Sequence, residues 1–115
     1  MKKDEKLVAG VFKEIFDDLL LNYKRKICDN NCNGKDAYAE ISRVISSLDD
    51  NGKKAIFDFF KIVSVDTASI IFGTIDGVHF PPDIDNDFIL LSDDDEIQGD
   101  LQDIFLARVQ DTCGC

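Results

Sequence analysis

The fold of this chain turns on residues 53–75, KKAIFDFFKIVSVDTASIIFGTI. On a helical wheel Ile56, Phe59, Phe60, Val63, Ile70 and Ile71 cover one broad face. Phe57, Val65, Phe72 and Ile75 cover much of the opposite side, leaving a narrow polar strip of Asp58, Asp66 and Ser69. A helix apolar on nearly every side packs on both of them, so this segment is expected at the centre of the core. Its β-branched content leaves a strand reading open for residues 62–65. Helix is preferred because no turn signal interrupts the stretch until Asp76-Gly77. Ile56, Phe59, Phe60, Val63, Ile70 and Phe72 are the expected buried residues. Asp58, Lys61 and Asp66 disqualify the segment as an ordinary membrane span.

On the N-terminal side, residues 4–27 repeat apolar side chains in steps of three and four: Leu7, Val8, Val11, Phe12, Ile15, Phe16, Leu19, Leu20, Tyr23 and Ile27. That is the period of an amphipathic helix. Asp4 and Glu5 suit its positive N-terminal end, and Lys24, Arg25 and Lys26 suit its negative C-terminal end. Residues 28–34, CDNNCNG, favour turns and break the pattern. A second helix is expected over residues 35–48, with Tyr38, Ile41, Val44, Ile45 and Leu48 on one face. Asp49-Asp50-Asn51-Gly52 then acts as a stop, followed by a cap or turn.

On the C-terminal side, Pro81-Pro82 cannot continue a helix. Residues 83–87, DIDND, read as a polar loop. Residues 88–91, FILL, read as a strand or packed extended segment, and residues 93–96, DDDE, as an acidic turn. Leu101, Ile104, Phe105 and Val109 give a last helix over residues 100–110, with Asp100 after Gly99 as its N-cap. Residues 110–115 read as a tail. The expected fold is a mainly α, single-domain helical bundle of three or four helices, with a short extended or small β element near residues 86–92. A chain of 115 residues suits one core. A central helix with two apolar faces leaves both monomer and dimer open.

The net charge is −10, but its distribution says more. Residues 1–65 hold 11 acidic and 12 basic side chains, whereas residues 66–115 hold 12 acidic ones and a single base, Arg108. A field of that sign repels nucleic acid and anionic lipid and attracts basic proteins and divalent cations. Asp4 and Glu5 follow Met1-Lys2-Lys3, and charges interrupt the next apolar stretch, so no secretory signal is read. The cytosol is the expected compartment.

Two sets of residues invite a chemical reading. Cys28, Cys32, Cys113 and Cys115 form two close pairs, and four thiolates suit tetrahedral zinc. The spacings Cys-x3-Cys and Cys-x-Cys differ from the commoner Cys-x2-Cys, and four free thiols or disulfides are the alternatives. Asp83, Asp85 and Asp87 alternate like the first calcium ligands of an EF-hand. Phe88 and Asp94 stand where that loop needs glycine and glutamate, which leaves at most a weak, irregular calcium site. His79, the only histidine, and Asp66, within the apolar helix, have no evident catalytic companions. No phosphate loop, nucleophile elbow, kinase or dinucleotide fingerprint occurs, so no enzyme is expected.

The second set is acidic: Asp83, Asp85, Asp87, Asp93, Asp94, Asp95, Glu96 and Asp100. Such a patch steers a basic partner toward it. Phe80, Phe88, Ile97 and the Pro81-Pro82 corner supply candidate apolar anchors. The expected function is that of a small acidic intracellular binding protein, of the inhibitor or immunity type, docking a basic protein through its C-terminal half. An acidic plug of this kind covers the positive cleft of a nuclease-like enzyme. The alternative is a metal-binding protein, with zinc on the cysteines or calcium on the aspartates.

Overall fold

The computed structural model describes residues 1–28 and 34–113. The order of elements is α1 (Lys3–Lys13), a wide helical turn (Glu14–Leu19), α2 (Leu20–Cys28), α3 (Ala37–Ser46), α4 (Asp50–Asp76), strands β1 (Leu91–Ser92) and β2 (Asp95–Glu96), and α5 (Leu101–Cys113). The protein is mainly α, with a two-stranded antiparallel element, as the periodicity predicts. Two compact units divide these elements. One combines Met1–Lys13 with Ser64–Cys115, and the other is Glu14–Val63. α5 runs three residues past Gln110, where the sequence suggested a tail.

In the first unit α1 packs along α5. Val8, Leu101 and Phe105 are fully covered, and Phe12, Ala68, Phe72 and Ile97 are buried beside them. The Phe105 ring meets Phe12 edge-on at 6.2 Å between centroids and Phe72 at 5.4 Å, separations at which aromatic pairs attract beyond their area burial. α4 ends in a cap of the Schellman type. Gly77 adopts φ +79°, its N–H donates to Thr74 O at 3.2 Å, and the Val78 N–H donates to Gly73 O at 2.9 Å. Gly73 itself is buried, and a Cβ there would sit 2.6 Å from Gln102 Nε2 and 3.0 Å from the His79 Cβ, so a side chain at this position would displace the Gln102 amide.

In the second unit α2 packs on α3 around Ile27, Ala39 and Ile45. The buried Ser42 hydroxyl donates to Ile27 O at 2.7 Å, satisfying a carbonyl in the last turn of α2. Asp36 caps α3 by accepting from the Ala39 N–H at 2.9 Å. Asp49 does the same for α4, accepting from the Gly52 N–H at 2.7 Å. The DDNG stretch read as a stop is therefore also a start, and α4 begins three residues before Lys53.

The expected core needs correction. Of the six residues assigned to it, only Phe72 is buried, and Ile56 and Phe60 are half-buried. Phe59, Val63 and Ile70 are 59%, 49% and 47% exposed. The covered side of α4 carries Ala68, Phe72 and Gly73 instead. Both sides of this helix are apolar, so hydrophobic periodicity alone does not decide which one is covered. The single long helix read over residues 4–27 also changes character at Glu14–Leu19, where hydrogen bonds reach five residues back. The boundary between the two units falls at that turn.

Candidate functional site

The acidic region is the segment between α4 and α5, all of it in the first unit. After the Gly77 cap the chain turns at Pro81, whose carbonyl accepts the Ile84 N–H at 3.1 Å. Pro82 presets the first central position of this turn, and Asp83 takes the second with φ +66°, the backbone pattern of a type II turn. Leu91 then pairs with Glu96, and Ser92 with Asp95. Asp93 and Asp94 form the turn between them, Asp93 with φ +55°. Aspartate tolerates this left-handed conformation better than bulkier residues do. The hairpin is fixed at its base by the Ile97 N–H donating to Leu90 O at 2.9 Å and by Gln98 Oε1 accepting the Leu90 N–H at 3.0 Å.

Asp83, Asp85, Asp87, Asp93, Asp94, Asp95, Glu96 and Asp100 are all exposed. Lys3, at the start of α1, joins two of them. Its Nζ lies 2.7 Å from Asp95 Oδ2 and 3.4 Å from Asp93 Oδ2, and it also reaches Ser92 O at 3.4 Å. The hydrogen bond to Asp95 is the main cause that raises the Lys3 pKa above its usual value. The other six acids form no ion pair among the described residues. Each therefore adds a negative charge to the local field with no cationic side chain in contact among the described residues.

Exposed apolar side chains lie among these carboxylates. Phe80 is 72% exposed, and Val78, Phe88, Ile89 and Leu91 are exposed as well. Ile97 is not part of this set, because its side chain is buried in the core. Ile89 and Leu91 were missed by reading residues 88–91 as one packed run. They are two positions apart in extended chain and so share a face, the side opposite half-buried Leu90.

Two contacts that hold this region had no local signature in the sequence. Lys3 reaches the hairpin across about ninety residues of chain. Asp76 caps α5 in place of the expected Asp100, its carboxylate accepting the N–H groups of Gly99 at 2.7 Å, Leu101 at 3.2 Å and Gln102 at 2.8 Å. Asp100 contributes its backbone carbonyl, which accepts the Ile104 N–H.

Cys28 ends α2 as an exposed free thiol. Cys32, Cys115 and the side chain of Cys113 lie outside the described residues. Among the described residues no three His, Cys, Asp or Glu side chains are grouped to hold a metal ion, and His79 and Asp66 are exposed. No described helix is long and apolar enough to cross a membrane. Comparison with models of protein families, with curated proteins and with solved structures found no match for this chain.

Proposed function

We propose that this protein is a non-enzymatic, cytosolic binding module of the inhibitor or immunity type, which docks a basic protein through residues 78–100. The observation that carries this reading is the mixed character of that segment. Phe80 and Ile89 stand exposed among carboxylates of which, among the described residues, two share a lysine. Tight interfaces combine apolar anchors that exclude water with charges that steer the encounter. A merely solubilising surface needs the charges but gains nothing from exposed phenylalanines.

The test is capture of partners at low salt, followed by measured affinity for each basic protein identified. Affinity is expected to fall steeply between about 50 and 200 mM salt, as surface charges become screened. Phe80→Ala is expected to slow nothing in association but to speed dissociation, raising Kd about tenfold. The triple change Asp85→Asn, Asp87→Asn and Asp94→Asn is expected to slow association instead. A partner whose affinity ignores both salt and these variants would refute the proposal.

A further inference from the structure

The second unit holds a groove of about 550 Å³ along the first half of α4, a size typical of small-molecule sites. Its apolar lining is Phe16, Leu20 and Leu21 from the first half of the chain, and Phe57 and Phe60 from α4. The two α4 rings support each other edge-on, 5.5 Å between centroids. Phe16 belongs to the wide turn at Glu14–Leu19, an irregularity that recurs at functional sites in helices.

The rim is cationic. Lys24, Lys53, Lys54 and Lys61 line the groove against only two carboxylates, Asp50 and Asp58. Asp58 is already engaged, 2.6 Å from Lys54 Nζ and 3.9 Å from Lys61 Nζ. Lys24 lies over the Phe57 ring with Nζ 5.8 Å from its centroid, and neither Lys24 nor Lys53 forms an ion pair among the described residues. The groove therefore combines an excess of two positive charges with an apolar, largely aromatic lining, in a chain whose net charge is −10.

We infer that this groove binds a single-chain amphiphilic anion, a long-chain carboxylate, with its hydrocarbon on Phe16, Leu20, Phe57 and Phe60 and its carboxylate at Lys24 and Lys53. Charge complementarity selects the anionic head, and the apolar lining selects the chain. The scale selects a small molecule over a protein. A stable protein interface covers about 800 Å² on each side, whereas only five large apolar side chains line this groove. The site is separate from the acidic segment, so the two proposals stand or fall independently.

The probe is dodecanoate, held below its micelle concentration and titrated into the full-length protein by calorimetry and by amide chemical-shift mapping. One molecule is expected to bind per chain, with the largest shifts at Leu20, Lys24, Phe57 and Phe60. Butanoate, lacking most of the chain, is expected to bind at least about a hundredfold more weakly. Dodecanol, which keeps the chain but lacks the charge, is expected to bind about tenfold more weakly. The double change Lys24→Gln and Lys53→Gln is expected to weaken dodecanoate about tenfold and to leave dodecanol unaffected. Both lysines lie at the rim, outside the buried core, so the fold is retained and the chemical-shift spectrum verifies it. Absent binding, shifts centred outside the groove, or equal affinity for dodecanoate and dodecanol would each overturn the inference.

Discussion

The carboxylate of Asp76 accepts three backbone N–H groups at the start of α5 while its own residue ends α4. The first N–H groups of a helix lack intrahelical partners, and a charged acceptor there also meets the positive end of the helix dipole. Asp76→Ala is therefore expected to destabilise the protein by about 2 kcal/mol, measured by urea unfolding. A loss below about 0.5 kcal/mol would show that water replaces the carboxylate without cost. Phe105 and Phe59 make a second comparison at this scale. Phe105 is fully covered and Phe59 is 59% exposed, although the sequence marked Phe59 for the core. Phe105→Ala is expected to cost about 3–5 kcal/mol, and Phe59→Ala to stay within about 0.5 kcal/mol. The reverse order would contradict the burial of α5.

α4 is the longest element, and its periodicity, its Asp49 cap and its Gly77 terminus can all be read from neighbouring residues. Its exposed surface is supported by charge pairing along the helix. Lys54 and Asp58 are four residues apart, the spacing at which side chains meet on a helix. The hydrogen bond from Lys54 holds the Asp58 carboxyl below its ordinary value of 3.8, with help from the charges of Lys54 and Lys61 and against some desolvation. A folded value below the unfolded one means that the pair stabilises the helix above the ordinary carboxylate range. That contribution is lost as pH falls through the lower folded value. A carbon-detected carboxyl titration should give Asp58 a midpoint below 3.8, and Lys54→Gln should move it upward. A midpoint unchanged by that substitution would remove the pair as the cause.

At the scale of the molecule, the excess negative charge belongs to one unit. The second unit, Glu14–Val63, is close to neutral, while the first carries the acidic segment and α5. Like charges crowded on a small surface oppose the compact state. Among the described residues only Lys3 offsets the hairpin acids by direct contact. Raising sodium chloride from about 20 to about 200 mM, which shortens the screening length several-fold, is expected to raise Tm by about 4 °C. A fall in Tm over that range would mean that the Lys3 pairs outweigh the repulsion they relieve. The structure of the acidic region was partly legible beforehand. The turn at Pro82-Asp83 and the acidic turn at Asp93-Asp94 both follow from residues that accept their backbone angles. The exposure of Ile89 and Leu91 was not, because a run of four apolar residues does not reveal which alternate side faces water.

The amino-acid sequence by itself determined which segments are helical to within a few residues, where the chain turns, and that acid gathers in the second half. Each of these depends on residues within a few positions of one another: helical spacing, a capping aspartate, a proline, a glycine with positive φ. Tertiary structure alone decided which side of α4 is covered, which carboxylate caps α5, and which lysine holds the hairpin. α4 is apolar on both sides, so its covered face was settled by packing and not by its own pattern. Asp76 and Asp100 are equally good caps by residue type, and only the approach of α5 to the end of α4 favoured the first. Lys3 meets Asp95 because α1 packs along α5, a proximity set by burial of apolar surface far from either charge.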